Sequence, residues 1–146
     1  MVEQIVHEFA PRFTPEGRFL YVGDTDAKFA YYDSDGLAAL GVVIDAHGKM
    51  PDVIIYDALK NWLVLVEAVT SHGPINPKRQ LELHHLFRGA RAGIVLFTAF
   101  LSRKAMVEYF PDISWETEVW VAESPTHMIH FNGKRFLGPY EEFPTE

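Results

Sequence analysis

Two of the 20 acidic residues in this 146-residue chain could act together. Asp52 opens a β-rich run, Asp52-Val53-Ile54-Ile55-Tyr56, and Glu67 interrupts an apolar one, Trp62-Leu63-Val64-Leu65-Val66-Glu67-Ala68-Val69. Ala58 to Asn61 form a connector of hairpin length between them. A hairpin centred there pairs residues whose numbers total 119, which sets Asp52 directly opposite Glu67 on one face. Their Cβ atoms are then about 5 Å apart, and like charges so placed destabilise a sheet. A hard divalent cation held by oxygen ligands would offset that repulsion. Mg²⁺ commonly takes one or two carboxylates and fills its shell with water and phosphate. Such a cation activates water and stabilises charge on a phosphoryl group, so the pair points towards phosphodiester hydrolysis. The plainer alternative is a shifted register, with Glu67 at a strand end in water and Asp52 capping a strand start after Pro51.

The second run is apolar on both faces, which predicts a central strand covered on both sides. After it, Asn76 as N-cap and Pro77 at the first helical position predict a helix to about Gly89. Leu83, Leu86, Phe87 and Ala90 would share one face. Gly93 to Thr98 reads as another buried strand, and strand, helix, strand implies a right-handed crossover and a parallel pair. Upstream, Val2, Ile5, Val6 and Phe9 predict a short helix closed by Pro11 and Pro15. Phe19 to Val22 reads as a strand, and Ser34 to Leu40 as a helix with Ser34 as N-cap and Gly41 as stop. Downstream, Ser102 caps a helix from Arg103 to Phe110 that Pro111 ends. Glu118 to Ala122 is a strand. Asn132-Gly133 signals a type I′ turn between Met128–Phe131 and Lys134–Leu137. Together these predict an α/β domain, a mixed sheet flanked by helices.

Composition narrows the class. Hydrophobic residues make up 48% and charged residues 23%, an ordinary globular mix for one domain. Without cysteine there are no disulfides, thiolate zinc sites or cysteine nucleophile. No signal peptide is visible at Met1-Val2-Glu3-Gln4-Ile5. The longest apolar runs, Trp62–Val66 and Ile94–Leu101, fall far short of the roughly 20 residues of a membrane span. A cytoplasmic location is the expectation. The net charge of −7 at first sight disfavours a polyanion, but it is uneven. Residues 1–67 carry 5 basic and 11 acidic side chains, residues 68–104 carry 6 and 1, and residues 105–146 carry 2 and 8. Phosphate contacts depend on local potential, so the positive segment 68–104 is where they are expected.

The strings around the two acids are long and idiosyncratic. Pro51-Asp52, a hairpin, and Glu67 in an apolar strand before a helix resemble the PD-(D/E)xK nuclease core. Lys49-Met50-Pro51-Asp52-Val53-Ile54-Ile55 resembles the C-terminal region of the BsuBI/PstI type II restriction endonuclease family. Glu67-Ala68-Val69-Thr70-Ser71-His72-Gly73-Pro74 does too, continuing through Pro77-Lys78-Arg79. So do Trp115 to Ala122 and His127 to Tyr140. The resemblance implies a Mg²⁺-dependent endonuclease that cuts double-stranded DNA at the palindrome CTGCAG and leaves 3′ overhangs. Residues 1–146 would be a single nuclease catalytic domain, the family's upstream specificity region being absent. A palindromic target favours a homodimer. Trp115 and Trp120 could line an interface, although such residues more often belong to a core.

Asp52 and Glu67 are the metal ligands so implied. The superfamily's Glu-x-Lys pattern fails here, because Val69 holds the lysine's place. Lys78, near the helix start, is the first candidate replacement, and Lys49 the second. Lys78 reads equally as a solvated cation. Ser71 and His72 could contact phosphate, or only shape the strand-to-helix turn. Glu8 is the best-placed extra carboxylate from the first helix. His84-His85 and His127/His130 make poor zinc pairs, since residues three apart on a strand face opposite sides. The loss of the lysine supports an alternative, a catalytically decayed DNA-binding or assembly domain. An α/β small-molecule hydrolase ranks lowest, because neither a Gly-x-Ser-x-Gly elbow nor a P-loop occurs.

Overall fold

Central strands that are apolar on both faces need cover from both sides, and this chain supplies it with an N-terminal helix on one side and later helices on the other. The computed structural model describes residues 1–23, 31–45, 48–70 and 72–134. The described strands are β1 (Arg18–Val22), β2 (Tyr31–Tyr32), β3 (Val53–Asp57), β4 (Trp62–Ala68), β5 (Gly93–Phe100), β6 (Thr117–Val121) and β7 (Met128–Phe131). They form one mixed sheet in the order β2-β1-β3-β4-β5-β6-β7, with β4 at its centre. The β3–β4 hairpin is antiparallel and runs from Val53 opposite Val66 to Asp57 opposite Trp62, the register the sequence predicts. β4 and β5 are parallel, as the crossover requires, and so are β5 and β6.

The N-terminal helical stretch covers one face. It consists of α1 (Val2–Gln4), a π-helical turn (Ile5–Phe9) and α2 (Ala10–Phe13). Val2, Ile5 and Phe9 pack against Val64, Val66 and Trp120. The Phe9 ring meets Phe97 edge-on at 4.8 Å between centroids. Pro11 does not close this helix as expected. The Ala10 N–H reaches back to the Ile5 carbonyl, one residue further than in an α-helix, and the widened turn carries the chain past a residue that has no N–H. The helix ends at Thr14, whose hydroxyl and N–H both bond the Ala10 carbonyl.

α3 (Ser34–Ala39) and α4 (Pro77–Leu86) cover the other face, setting Leu37, Leu83 and Phe87 on Ile54, Leu63, Leu65 and Leu96. The cap of α3 is Asp33, not Ser34: its carboxylate accepts the Gly36 N–H at 2.8 Å. Gly41, with φ +90°, stops that helix. A third cluster, Val69, Phe100, Met106, Ile113, Val119 and Val121, packs with α5 (Arg103–Tyr109), which Ser102 caps. Trp120 is fully buried, whereas Trp115 is exposed, so only the first belongs to the core. The return strand expected at Lys134–Leu137 lies outside the described residues from position 135 onward. No helix among the described residues is long and apolar enough to cross a membrane.

Candidate active site

The edge of the hairpin away from its turn carries the chemistry. Asp52 immediately precedes β3, and its Oδ2 accepts the Ala68 N–H at 2.7 Å. Glu67 is the penultimate residue of β4, opposite Thr98 of β5. Extending the β3–β4 register by one residue sets Asp52 across from Glu67. Glu67 alternates onto the face of Leu63 and Leu65, so both acids look towards α4.

α4 meets them there because its start is fixed twice. The Asn76 side chain accepts the Arg79 N–H at 2.8 Å, and the Ile75 N–H donates to the buried Thr98 hydroxyl at 3.1 Å. That docking brings the Arg79 guanidinium over Glu67. Nε donates to Oε2 at 3.0 Å and Nη2 to Oε1 at 2.9 Å, a two-pronged pair with side chains only 14% and 15% exposed. Nη2 also donates to the Lys49 carbonyl at 3.0 Å, and Nη1 lies 3.5 Å from Glu82.

The electrostatics follow from burial and crowding. Burial pushes the Asp52 carboxyl above its ordinary value, the Ala68 N–H opposes this, and the adjacent Glu67 charge adds to it. Arg79 and His72 act in the lowering direction. Burial works against the Arg79 charge, but the hydrogen bonds and charge of Glu67, with Glu82, outweigh it and hold the guanidinium more firmly protonated.

A cavity of about 300 Å³ opens on this cluster, lined among others by Asp52, Glu67, His72, Lys78, Arg79 and Lys49. The two carboxylates suit a hard divalent cation. Among the described residues, no hydrogen bond reaches Asp52 Oδ1, and the Glu67 charge that adds to the effect of burial on Asp52 is one a cation offsets. Lys78 and His72 are exposed at the cavity wall, within the same site but not bonded to either acid. Ser71 lies outside the described residues. Val69 is buried in the third cluster, so the lysine's place is filled by core.

Glu8 does not join the site. The N-terminal helix packs on the opposite face, and Glu8 lies there beside His7, Arg12 and Pro125. His84 and His85 are exposed on α4; His127 bonds Thr126, and His130 pairs with Glu118 across β6 and β7. No group of three His, Asp or Glu side chains suited to a metal occurs among the described residues. Sequence reasoning missed Arg79 and Glu82 as members of the site. The available signal was Glu67 itself: an acid inside an apolar strand needs a counter-charge, and Arg79 is the nearest downstream residue able to grip both oxygens.

Comparison with known proteins agrees with this architecture. Residues 1–134 match the family described as the BsuBI/PstI restriction endonuclease domain. The chain is 60% identical over 141 residues to the type II restriction enzyme BsuBI of Bacillus subtilis, covering 97% of this chain and 45% of that protein. It is 31% identical over 144 residues to the type II restriction enzyme AplI of Arthrospira platensis, covering 94% and 44%. The solved structure of the SdaI restriction endonuclease superposes with a TM-score of 0.89 at 45% identity, covering 96% of this chain and 44% of that one. The fold is therefore a restriction-endonuclease fold, and the chain spans under half the length of the relatives it matches. On the match across residues 1–134 and this identity, the chain belongs to the BsuBI/PstI restriction endonuclease family.

Proposed function

We propose that this chain is the catalytic domain of a type II restriction endonuclease that hydrolyses phosphodiester bonds of double-stranded DNA with Mg²⁺. The observation that carries the reading is the convergence of Asp52 and Glu67 at one end of the hairpin, in a cavity that also presents Lys78, His72 and Arg79. Asp52 and Glu67 would hold the cation, which when bound supplies a Lewis acid for the phosphoryl oxygen and lowers the pKa of water. The Ala68 N–H fixes Asp52 in orientation. Lys78 and His72 stand at the cavity wall to receive phosphate oxygens, and Ser71, next to His72 in sequence, is a further candidate. CTGCAG is the target the family resemblance suggests, with action as a homodimer in the cytoplasm.

The test is incubation of the purified chain with Mg²⁺ and CTGCAG-containing plasmid, with fragment ends mapped. Asp52→Ala and Glu67→Ala should abolish cleavage while the circular dichroism spectrum persists. Full activity in either variant would overturn the assignment. The buried Val69 favours one second reading, a DNA-binding or assembly domain that has lost catalysis. Under that reading the plasmid stays intact over a wide range of protein and Mg²⁺ concentrations, yet gel shift shows binding.

A further inference from the structure

Arg79 grips both oxygens of Glu67, the carboxylate that a divalent cation would share with Asp52. We infer that Arg79 is an internal counter-cation that weakens the hold of the carboxylate pair on divalent cations until a DNA phosphate draws the guanidinium away. This rests on the reading of Asp52 and Glu67 as the cation's ligands.

Three observations support it. Both Glu67 oxygens already accept a guanidinium N–H, at 3.0 and 2.9 Å, so a cation entering must share an oxygen with Arg79 and sit beside its positive charge. The guanidinium has somewhere to go: Arg79 lines the same cavity as Lys78 and His72, and its planar fork fits a phosphate as well as a carboxylate. Its other anchors are few, one ordinary hydrogen bond to the Lys49 carbonyl at 3.0 Å and a Glu82 oxygen at 3.5 Å, the limit of a hydrogen bond. Withdrawing the arm alone would leave Glu67 beside Asp52 with no compensating charge. Release of Arg79 is therefore favoured when a divalent cation takes its place. Because coupling between two ligands is reciprocal, DNA then tightens the cation and the cation tightens DNA by the same factor. Arg79 is a positioning residue in this scheme, acting through Glu67.

Isothermal titration of the full chain with Mg²⁺, without DNA, tests this directly. Arg79→Gln should bind Mg²⁺ about tenfold or more tightly than the native chain, because a charge-assisted contact no longer competes. Arg79→Lys, which cannot hold both oxygens, should fall between, and it serves alone if Arg79→Gln does not fold. A short duplex with an uncleavable linkage should tighten Mg²⁺ binding to the native chain by a clearly larger factor than to Arg79→Gln, where only direct phosphate ligation of the cation remains; equal factors would overturn the competition. If native and Arg79→Gln chains bind equally and Asp52→Ala abolishes binding, the competition is overturned and the cation site stands. If Asp52→Ala leaves Mg²⁺ binding unchanged, the cation site fails and this inference fails with it.

Discussion

Glu67 and Glu118 lie on the same sheet with side chains equally exposed, at 15%. Each is followed two residues later by a buried apolar side chain, Val69 and Trp120. Their cross-strand neighbours differ. Glu118 faces His130 on β7 and bonds both that imidazole and, at 3.0 Å, the Asn132 amide. Glu67 has an acid, Asp52, in the corresponding place, and its compensation comes from a helix instead. A base across the strand satisfies a carboxylate within the sheet. An acid there leaves a repulsion that only an outside charge can relieve. The missing lysine does not separate the two sites, because neither has one. The second acid does.

The largest expected effect tests that distinction on activity. Glu67→Gln should lower Mg²⁺-dependent plasmid cleavage by about a thousandfold or more, the loss of several kcal/mol of charge stabilisation. Glu118→Gln should stay within about threefold of native. Equal losses would erase the difference between the two carboxylates. Next, Val69→Lys should destabilise the chain by about 2–4 kcal/mol in urea unfolding, because its ammonium would have to lie among Phe100, Met106 and Val119. Native stability with raised cleavage would show instead that this pocket can host the lysine.

Removing each partner should give a smaller contrast. Arg79→Ala strands a largely buried Glu67 and should cost about 2 kcal/mol, whereas His130→Ala, at an exposed pair, should cost about 0.5 kcal/mol or less. Urea midpoints that fall equally would contradict this. The smallest effect is on pH dependence. A carboxyl raised above its ordinary 3.8 in the folded chain stabilises fully only below that value, and the contribution is lost as pH rises through the folded value. Asp52→Asn, which keeps an acceptor for the Ala68 N–H, should therefore be slightly more stable than native at pH 7 without divalent cations. The gap should close as pH falls towards 3.8. A less stable variant at pH 7 would remove the claimed cost of holding Asp52 charged, buried and beside Glu67.

What the sequence made legible was what local rules govern. The hairpin register follows from one connector and a period of two, so Asp52 and Glu67 could be paired on paper. The Asn76 cap, Pro77 and the parallel crossover are signals of the same local kind. The misses come from docking. Which face the first helix covers decides the place of Glu8, and no periodicity in Val2 to Phe13 reports it. The approach of Arg79 depends on how α4 is tied to Thr98, a contact 23 residues away in sequence. Asp33 displaced Ser34 as a cap because both are good acceptors and only the backbone geometry chooses. Pro11 does not end the helix because a π-helical turn spends one extra residue to carry the helix past it.

The Ala68 N–H is donated to a side chain where the hairpin ladder gives out. That makes one backbone amide a resident spectroscopic gauge of the site. Its resonance should respond when Asp52 gains a proton or gives an oxygen to a cation, while the ladder amides of β4 further towards the turn stay still. Occupancy could then be followed by nuclear magnetic resonance in a chain where no DNA is being cut.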